Sequence, residues 1–126
     1  MHRSRLGGLI IDCRTDDLDA AAGFWSAALG LPARKSSDPA DAGYIRLETA
    51  PNDLHLEVQK VEHLSRVHID IETDDIDAEV ARLERLGARR LERIKGWYVM
   101  EAPTGQRFCV VRVQRSNFAT EANAWE

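Results

Sequence analysis

Glu57 and His68 are the residues of this chain best suited to proton transfer, and both lie in segments where apolar and polar residues alternate. Glu57 and Gln59 lie on the polar side of "LHLEVQKV", and His68 lies on the polar side of "VHIDIE". Such alternation is typical of strands with one wet face. Because imidazole titrates near neutral pH and a carboxylate can exchange a proton with it, Glu57 and His68 are predicted to be a catalytic acid–base pair. The alternatives are a solvated strand face for Glu57 and, for His68, an imidazole that only bonds a neighbouring carboxylate such as Asp70.

Two later strand-like segments, "WYVME" and "RFCVVRV", carry side chains suited to binding an organic ligand. Trp97 and Tyr98 are adjacent and must face opposite sides of a strand, so Trp97 is predicted to line a pocket for a flat ligand. Arg107 and Cys109 share a strand face, where Arg107 could bind an anion or lie at a rim with its aliphatic part packed. Gln59 is a further candidate ligand-binding residue. For Trp97 and Cys109 the alternative is plain core packing.

A repeat organises the chain around these candidates. "IDCRTDDLDA" at 11–20 and "IDIETDDIDA" at 69–78 are identical at seven of ten positions, with an offset of 58 residues. A chance match of helix-capping residues is the alternative, but the order of predicted elements also repeats. Asp12 and Asp70 are equivalent in the repeat, and we predict that they are structural residues that cap neighbouring loops.

The same pattern of elements is predicted in both halves: a strand, a helix and three further strands. Asp16 and Asp74 are predicted to cap the two helices, and Gly30 is predicted to end the first one. Trp25 lies on the apolar stripe of that first helix, so it is predicted to be a core residue.

This order predicts an α+β fold, with two βαβββ modules in tandem that form a curved mixed sheet around a cleft, and with helices on the outer face. One module alone would leave a sheet face wet, which is why two are expected to share one sheet. The predicted organisation is a single domain over 1–115, with modules at about 8–61 and 66–113. A polar C-terminal tail follows at 116–126.

Composition excludes several classes of partner. The 126 residues include 17 basic and 21 acidic ones, a net charge of −4 that argues against nucleic acid or an anionic membrane as a partner. No apolar run approaches the ~20 residues of a membrane span, and no signal peptide is evident. Cys13 and Cys109 lie inside apolar strand-like segments rather than in a disulfide framework, a pattern that predicts a cytoplasmic protein.

The helix sequence "FW…ALG", the "HIDI" that opens the second half and the closing "APTGQRFCVV" resemble one known group of proteins. Over residues 8–113 the chain is similar to the vicinal oxygen chelate superfamily, and more narrowly to its glyoxalase-like and bleomycin-resistance-like proteins. The resemblance implies the paired-module fold. It also implies that metal-using relatives hold one divalent ion in the cleft, through His, Glu or Gln on the first and last strands of each half.

The four ligand positions that the resemblance implies are here occupied by Ile10, Glu57, His68 and Cys109, with Gln59 as the alternative to Glu57. Isoleucine cannot bind a metal. A set of Glu57, His68 and Cys109 could bind zinc, with nickel, manganese or iron as the other divalent candidates. Because one ligand is missing and one is replaced, the resemblance favours a protein without a metal and puts glyoxalase I activity in doubt.

Two functions are therefore expected from different classes. The first is a small-molecule binding protein of the bleomycin-resistance type, which would sequester an aromatic or oxygenated compound in the cleft, with no metal or a weakly bound one. The alternative is an enzyme of the superfamily, of lyase, isomerase or dioxygenase type, that uses Glu57 and His68 with or without a divalent metal. The resemblance also implies a homodimer, in which Phe118 and Trp125 of the polar tail could cover part of the interface.

Overall fold

The computed structural model of the protein describes residues 1–126. Its elements are nine strands and three α-helices, with a short 3-10 helix at Pro39–Asp41. The α+β class and the βαβββ order of each half are confirmed. In chain order the elements are β1 (His2–Arg14), α1 (Leu18–Leu29), β2 (Ala33–Lys35), β3 (Tyr44–Leu47), β4 (His55–Val61), β5 (Arg66–Thr73), α2 (Ile76–Arg85), β6 (Arg89–Ile94), β7 (Trp97–Glu101), β8 (Arg107–Arg112), α3 (Phe118–Glu121) and β9 (Asn123–Trp125).

The chain divides into two compact units, and the division falls inside β1 and inside β5. The first unit comprises residues 9–67 and the second comprises residues 1–8 together with 68–126. The predicted module bounds at 8–61 and 66–113, and the predicted domain end at 115, stay predictions.

In the first unit, β3 pairs antiparallel with both β2 and β4, and α1 packs on one face of these strands. The alternation predicted for "LHLEVQKV" holds, since Val58 is fully buried and Leu56 packs against the same core. Trp25 also packs against that core, as its position on the apolar stripe of α1 predicted. The opposite face of β4, which carries Glu57 and Gln59, is left to polar side chains. The core residues are Ala22, Ile45, Leu47 and Val58.

In the second unit the strands run in the order β5, β8, β7, β6, with β5 parallel to β8 and the other pairs antiparallel. Helix α2 covers one face, where its Val80 and Leu83 pack on Met100, Phe108 and Val110. Alternation along a strand sends the intervening residues to the other face, opposite α2. This face, which lacks α2 and is called the helix-free face below, carries the side chains considered next.

The helix N-caps lie one residue later than predicted. Asp17, not Asp16, accepts a hydrogen bond from the amide of Ala20, and Asp75, not Asp74, caps α2 in the same way. In each "TDD" the first aspartate lies in a bend before the helix, and the second is the residue placed to bond the amide three residues further on. Gly30 ends α1 in the left-handed conformation, at φ 68°, as predicted. None of the helices is both long and apolar enough to span a membrane.

The C-terminal residues form ordered structure rather than a frayed tail. Strand β9 pairs antiparallel with the first residues of β1, and Phe118 of α3 is only 5% exposed. The indole of Trp125 donates to the Ser4 hydroxyl over 2.8 Å and lies 4.0 Å from the guanidinium of Arg82. Phe118 is thus buried within its own chain, which corrects its predicted place in a dimer interface.

Glu72 carries one of two fully buried carboxylates in the second unit. It is fully buried on β5 and accepts from Arg5 over 2.7 Å and from Arg115 over 2.9 Å. It also accepts from the amide of Gln114 over 2.6 Å. Gly7 makes room for it, because a Cβ at that position would lie 3.0 Å from the Cβ of Glu72. One carboxylate therefore joins β1, β5 and the segment that follows β8.

Glu79 of α2 forms a second buried network in this unit. Its carboxylate is fully buried and accepts from His2 over 2.8 Å and from Arg82 through two bonds of 2.8 Å. Burial by itself would raise the pKa of Glu79, but the bonds from Arg82, His2 and Ser4 outweigh it and lower that pKa below its ordinary value. The network holds the N-terminal strand on α2.

We predict that Asp17→Ala lowers the free energy of unfolding by about 1 kcal/mol, because it removes the cap of α1. Asp16→Ala is the matched control, since Asp16 is exposed and has the same chemistry one residue earlier. Urea unfolding followed by circular dichroism measures both. An equal loss in the two variants would contradict the observed cap.

We predict that Glu72→Gln destabilises the protein by about 3–5 kcal/mol at neutral pH, because Arg5 and Arg115, each 12% exposed, lose their counter-charge. Burial raises the pKa of Glu72, but bonds from Gln114, Arg5 and Arg115 lower it overall. The folded-state pKa thus lies below the unfolded value of about 4.3. Its contribution is complete above that value and is lost as the pH falls through the folded-state pKa.

The difference in unfolding free energy between wild type and Glu72→Gln should therefore shrink below about pH 4. Urea titrations at a series of pH values measure it. Glu84→Gln is the control, because Glu84 pairs with Arg90 on the surface, and this change should have little effect at any pH. A pH-independent difference for Glu72→Gln would show that its charge is not what stabilises the fold.

Candidate functional site

Strands β5 and β8 position three side chains with metal-binding or acid–base chemistry on the helix-free face of the second unit. His68 and Asp70 alternate with Ile69 and Ile71 along β5, so they share a face. Cys109 is the register partner of Asp70 on the parallel strand β8. The neighbours of Cys109, Phe108 and Val110, point to the other face and pack in the core under α2. This packing holds β8 in place and so positions Cys109.

The three functional atoms converge on one point. His68 Nε2 lies 3.4 Å from Asp70 Oδ1 and 3.8 Å from Cys109 Sγ. The three ligand atoms all lie within 4.8 Å of one another. The side chains of His68 and Asp70 are 12% and 15% exposed, so the cluster is mostly shielded while keeping contact with solvent.

Asp70 is poorly satisfied where it lies. Its Oδ1 is buried and accepts no hydrogen bond, and the 3.4 Å to His68 Nε2 is longer than the usual N–H···O range of about 2.7–3.2 Å. A buried carboxylate oxygen without a donor costs free energy. The predicted role of Asp70 as a structural cap is therefore wrong, since no backbone amide bonds this oxygen.

An apolar and charged wall adjoins the cluster on the same face. Val99 on β7 is the register partner of Cys109, and Trp97 shares the face of Val99, while Tyr98 packs against the core. Arg107 and Glu101 are register partners farther along, with Arg107 Nε 3.5 Å from Glu101 Oε2. The predicted division of Trp97 and Tyr98 between the two faces holds, while their ligand-binding role stays a prediction.

The other predicted site residues belong to the first unit and have local partners there. Glu57 Oε1 lies 2.7 Å from His55 Nε2, and the amide of Gln59 donates to the Tyr44 hydroxyl over 3.0 Å. Glu57 is thus engaged by His55, the histidine two residues before it on the same strand. The acid–base pairing of Glu57 with His68 stays a prediction.

Two further side chains of the first unit, one at a predicted ligand position and one a thiol, do not suit a ligand or nucleophile. Ile10, at the first ligand position of the resemblance, is 3% exposed and contributes only apolar surface. Burial raises the pKa of the Cys13 thiol, with a bond to Trp25 opposing it and the charge of Asp12 adding to it. Cys13 is therefore a protonated thiol at neutral pH, unsuited to act as a ligand or nucleophile.

A concavity of about 330 Å³ lies at the start of α1 in the first unit. Its charged groups already serve the fold: Asp17 caps α1, and Asp19 lies 2.6 Å from Lys35 Nζ. It contains no histidine or cysteine, so the cluster on β5 and β8 is the better candidate site. Its lining residues are Asp16, Asp17, Leu18, Asp19, Lys35, Ser36, Asp41, Ala42, Tyr44 and Ile45.

Comparison with known proteins gives one match to a family and several to solved structures. A family model described as a glyoxalase-like domain matches residues 8–111. Among curated proteins, none matches the chain.

Three solved structures illustrate the shared fold. Methylmalonyl-CoA epimerase of Streptomyces coelicolor, in complex with 2-nitronate-propionyl-CoA, is similar at a TM-score of 0.63 and 19% identity, over 87% of this chain and 98% of that one. Methylmalonyl-CoA epimerase of Mycobacterium tuberculosis is similar at a TM-score of 0.63 and 16% identity, and the match covers 91% of each chain. A hypothetical protein of Bacillus halodurans is similar at a TM-score of 0.64 and 13% identity, over 90% of this chain and 97% of that one. At these identities the likeness is one of fold.

We predict that Asp70→Asn leaves the free energy of unfolding unchanged or raises it by about 1 kcal/mol at neutral pH, because it removes the charge of a poorly satisfied buried carboxylate. Urea unfolding measures this. Glu72→Gln, two residues along the same strand face, serves as the contrast because it should cause a large loss. A loss of more than about 2 kcal/mol for Asp70→Asn would instead mean that Asp70 stabilises the fold.

Proposed function

The chain belongs to the glyoxalase-like domain family of the vicinal oxygen chelate superfamily, and on that premise we propose that it binds a small oxygenated organic molecule on the helix-free face of the second unit. The observation that supports this most is the convergence of His68, Asp70 and Cys109 there. Polar groups that the fold does not need for stability are characteristic of binding and catalytic sites.

The chemistry of the face suits a ligand that is partly apolar and partly oxygenated. Trp97 and Val99 offer apolar surface against which a flat or short aliphatic group can pack. His68 can donate to, or accept from, an oxygen or hydroxyl of the ligand. Arg107 forms an ion pair with Glu101 but is 44% exposed. Its guanidinium can therefore still bind a carboxylate or phosphate at the edge of the face.

A second candidate function, enzymatic proton transfer, is supported by the carboxylate beside His68. Asp70 lies 3.4 Å from the imidazole, where it stabilises the protonated form that results when His68 takes up a proton. A proton leaving a carbon next to a carbonyl would pass to His68, with the electron pair moving to the carbonyl oxygen, and return from His68 to that carbon. Similarity of fold to epimerases that act on methylmalonyl-CoA makes such carbon acids sensible first substrates.

Ligand binding is tested by following tryptophan fluorescence while small carboxylates, hydroxyketones, catechols and acyl thioesters are titrated into the protein. We expect one class to change the emission, and Trp97→Phe to abolish the change. Trp125→Phe is the matched control, because Trp125 is engaged by Ser4 and Arg82. His68→Asn should weaken binding by about 10- to 100-fold, the effect of one hydrogen bond to a charged group.

Proton transfer is tested separately by incubating the bound compound in D₂O and measuring deuterium incorporation at its carbon acid by NMR. Deuterium exchange that is lost in His68→Asn would support enzymatic proton transfer, whereas binding without exchange would favour sequestration of the ligand. The proposal fails if no compound class binds, or if one binds equally well to wild type and His68→Asn.

A further inference from the structure

Cys109 and His68 lie in hydrogen-bonding contact on the helix-free face, with 3.8 Å between Sγ and Nε2. We propose that Cys109 is a nucleophile activated by His68, and that it adds covalently to an α,β-unsaturated carbonyl compound bound on this face. The proposal rests on the proposed function for the binding of that compound. The reactivity of the thiol itself can be tested without a bound ligand.

The contact gives the thiol a proton acceptor. The thiolate, rather than the thiol, is the nucleophilic form of cysteine, and a histidine within hydrogen-bonding reach is the usual group that generates it. Cys109 and His68 lie on β8 and β5, two parallel strands that are paired in register at Cys109 and Asp70. Because Phe108 and Val110 pack in the core on the opposite face, Cys109 is held where its sulfur meets the imidazole.

Asp70 is placed to stabilise the charge that proton transfer creates. Its Oδ1 lies 3.4 Å from His68 Nε2, is buried and accepts no hydrogen bond. When the thiol proton moves to Nε2, the new N–H lies between the sulfur and this oxygen, so the carboxylate gains the donor that it lacks. An opposite charge at such a distance favours the protonated imidazole. The unfavourable state of Asp70 is therefore relieved when Cys109 is activated.

The arrangement differs from the usual triad in one respect. In that triad the nucleophile bonds one ring nitrogen and the carboxylate holds the other. Here Cys109 and Asp70 both approach His68 Nε2. The carboxylate therefore acts on the same nitrogen that receives the proton.

The other thiol of the chain provides an internal comparison. Cys13 Sγ donates to the carbonyl of Ile11 over 3.6 Å and also bonds Trp25, and neither group takes up a proton at neutral pH. Burial raises the pKa of Cys13, and the charge of Asp12 raises it further. The two thiols of one protein should therefore differ in reactivity, with Cys109 the faster.

The surroundings of Cys109 indicate the class of electrophile. Val99 on β7 is its register partner and Trp97 shares that face, so apolar surface adjoins the sulfur. Arg107, two residues before Cys109 on β8, is 44% exposed and can bind a carboxylate. A flat, conjugated carbonyl compound that carries a carboxylate suits these features, and its β-carbon is the atom that a polarisable thiolate attacks.

The addition requires no further reactant. Cys109 Sγ loses its proton to His68 Nε2 and forms a bond to the β-carbon, while the π electrons move to the carbonyl oxygen to give an enolate. His68 then returns the proton to the α-carbon. The product is a thioether that retains every atom of both partners, so no oxidant, reductant or leaving group takes part. Reversible binding would thus become covalent capture.

The test is the rate of reaction with limiting N-ethylmaleimide in the presence of a chelator, with the modified cysteine identified by peptide mass spectrometry. We expect Cys109 to be labelled about 10-fold faster than Cys13. His68→Asn should slow labelling of Cys109 by roughly 100-fold, the contribution of a general base. Asp70→Asn should slow it by about 10-fold, because the imidazolium loses its opposite charge.

Imidazole rescue separates a chemical role of His68 from a structural one. Added imidazole should restore part of the rate in His68→Gly, since a free base can occupy the space of the missing ring. His63→Asn is the matched control, because His63 is an exposed histidine of the first unit, and it should react as wild type does. Cys13→Ser should likewise leave the labelling of Cys109 unchanged.

The preference for a carboxylate is tested with a second maleimide. Maleimidopropionate carries a carboxylate that N-ethylmaleimide lacks, and we expect Cys109 to favour it by about threefold, as suits one exposed ion pair. Arg107→Gln should remove that preference while keeping the rate with N-ethylmaleimide. An equal preference in Arg107→Gln and wild type would overturn the assignment of the carboxylate to Arg107.

The proposal is overturned if Cys109 reacts no faster than Cys13, if His68→Asn reacts as fast as wild type, or if imidazole fails to rescue a folded His68→Gly. Equal or faster labelling of Asp70→Asn would overturn the role given to Asp70. Fluorescence titrations of Cys109→Ser measure reversible binding when no covalent product can form. Failure of the thiol chemistry and failure of ligand binding are therefore distinguished.

Discussion

The buried carboxylate of Glu72 is the interaction on which the second unit depends. It is fully buried, and it accepts from Arg5, Arg115 and the amide of Gln114. These donors come from β1 and from the segment after β8, while Glu72 itself is on β5, so one charge joins parts of the chain far apart in sequence. A buried charge of this kind is tolerated only when its hydrogen bonds are satisfied. That requirement explains why Gly7 has no side chain beside it.

Glu72 and Asp70 lie two residues apart on one face of β5, but only Glu72 has its hydrogen-bonding needs met. Glu72 has every bond that its burial requires, whereas the buried oxygen of Asp70 has none and lies beside His68. The bonded Glu72 stabilises the fold, whereas the unbonded oxygen of Asp70 destabilises it. Native proteins keep such unfavourable arrangements mainly where a ligand or reaction uses them. The contrast therefore separates the part of β5 that holds the fold from the part that presents the candidate site.

The repeated halves have diverged at the residues that matter for chemistry. At positions 58 residues apart, Ile10 corresponds to His68, and Asp12 corresponds to Asp70. Ile10 is buried and apolar, and Asp12 is 2% exposed, with the His63 imidazole and the Arg66 guanidinium of its own unit each 3.9 Å away. The first half thus has a guanidinium near its carboxylate, while the second half has a histidine and a thiol beside the equivalent carboxylate. A common fold in both halves is consistent with a site in only one.

The sequence by itself determined the elements. Its periodicities and capping residues indicated the βαβββ order, the core positions of Trp25 and Val58 and the end of α1 at Gly30, because alternation and capping are local properties of a chain. The family was indicated separately, by the resemblance of short motifs such as "HIDI" and "APTGQRFCVV". It missed the cap residue by one position in each helix, since two adjacent aspartates satisfy the same sequence rule and only backbone conformation distinguishes them.

Only the tertiary structure decided which polar residues meet. His68 and Cys109 were singled out as candidates, but Asp70 was assigned a capping role, although its position on the same face as His68 was a signal that could have found it. The sequence predicts only a polar tail at 116–126, and pairing of β9 with β1 gives it structure. Such partnerships join residues tens of positions apart in the sequence, so strand register and packing, rather than any local pattern, determine them.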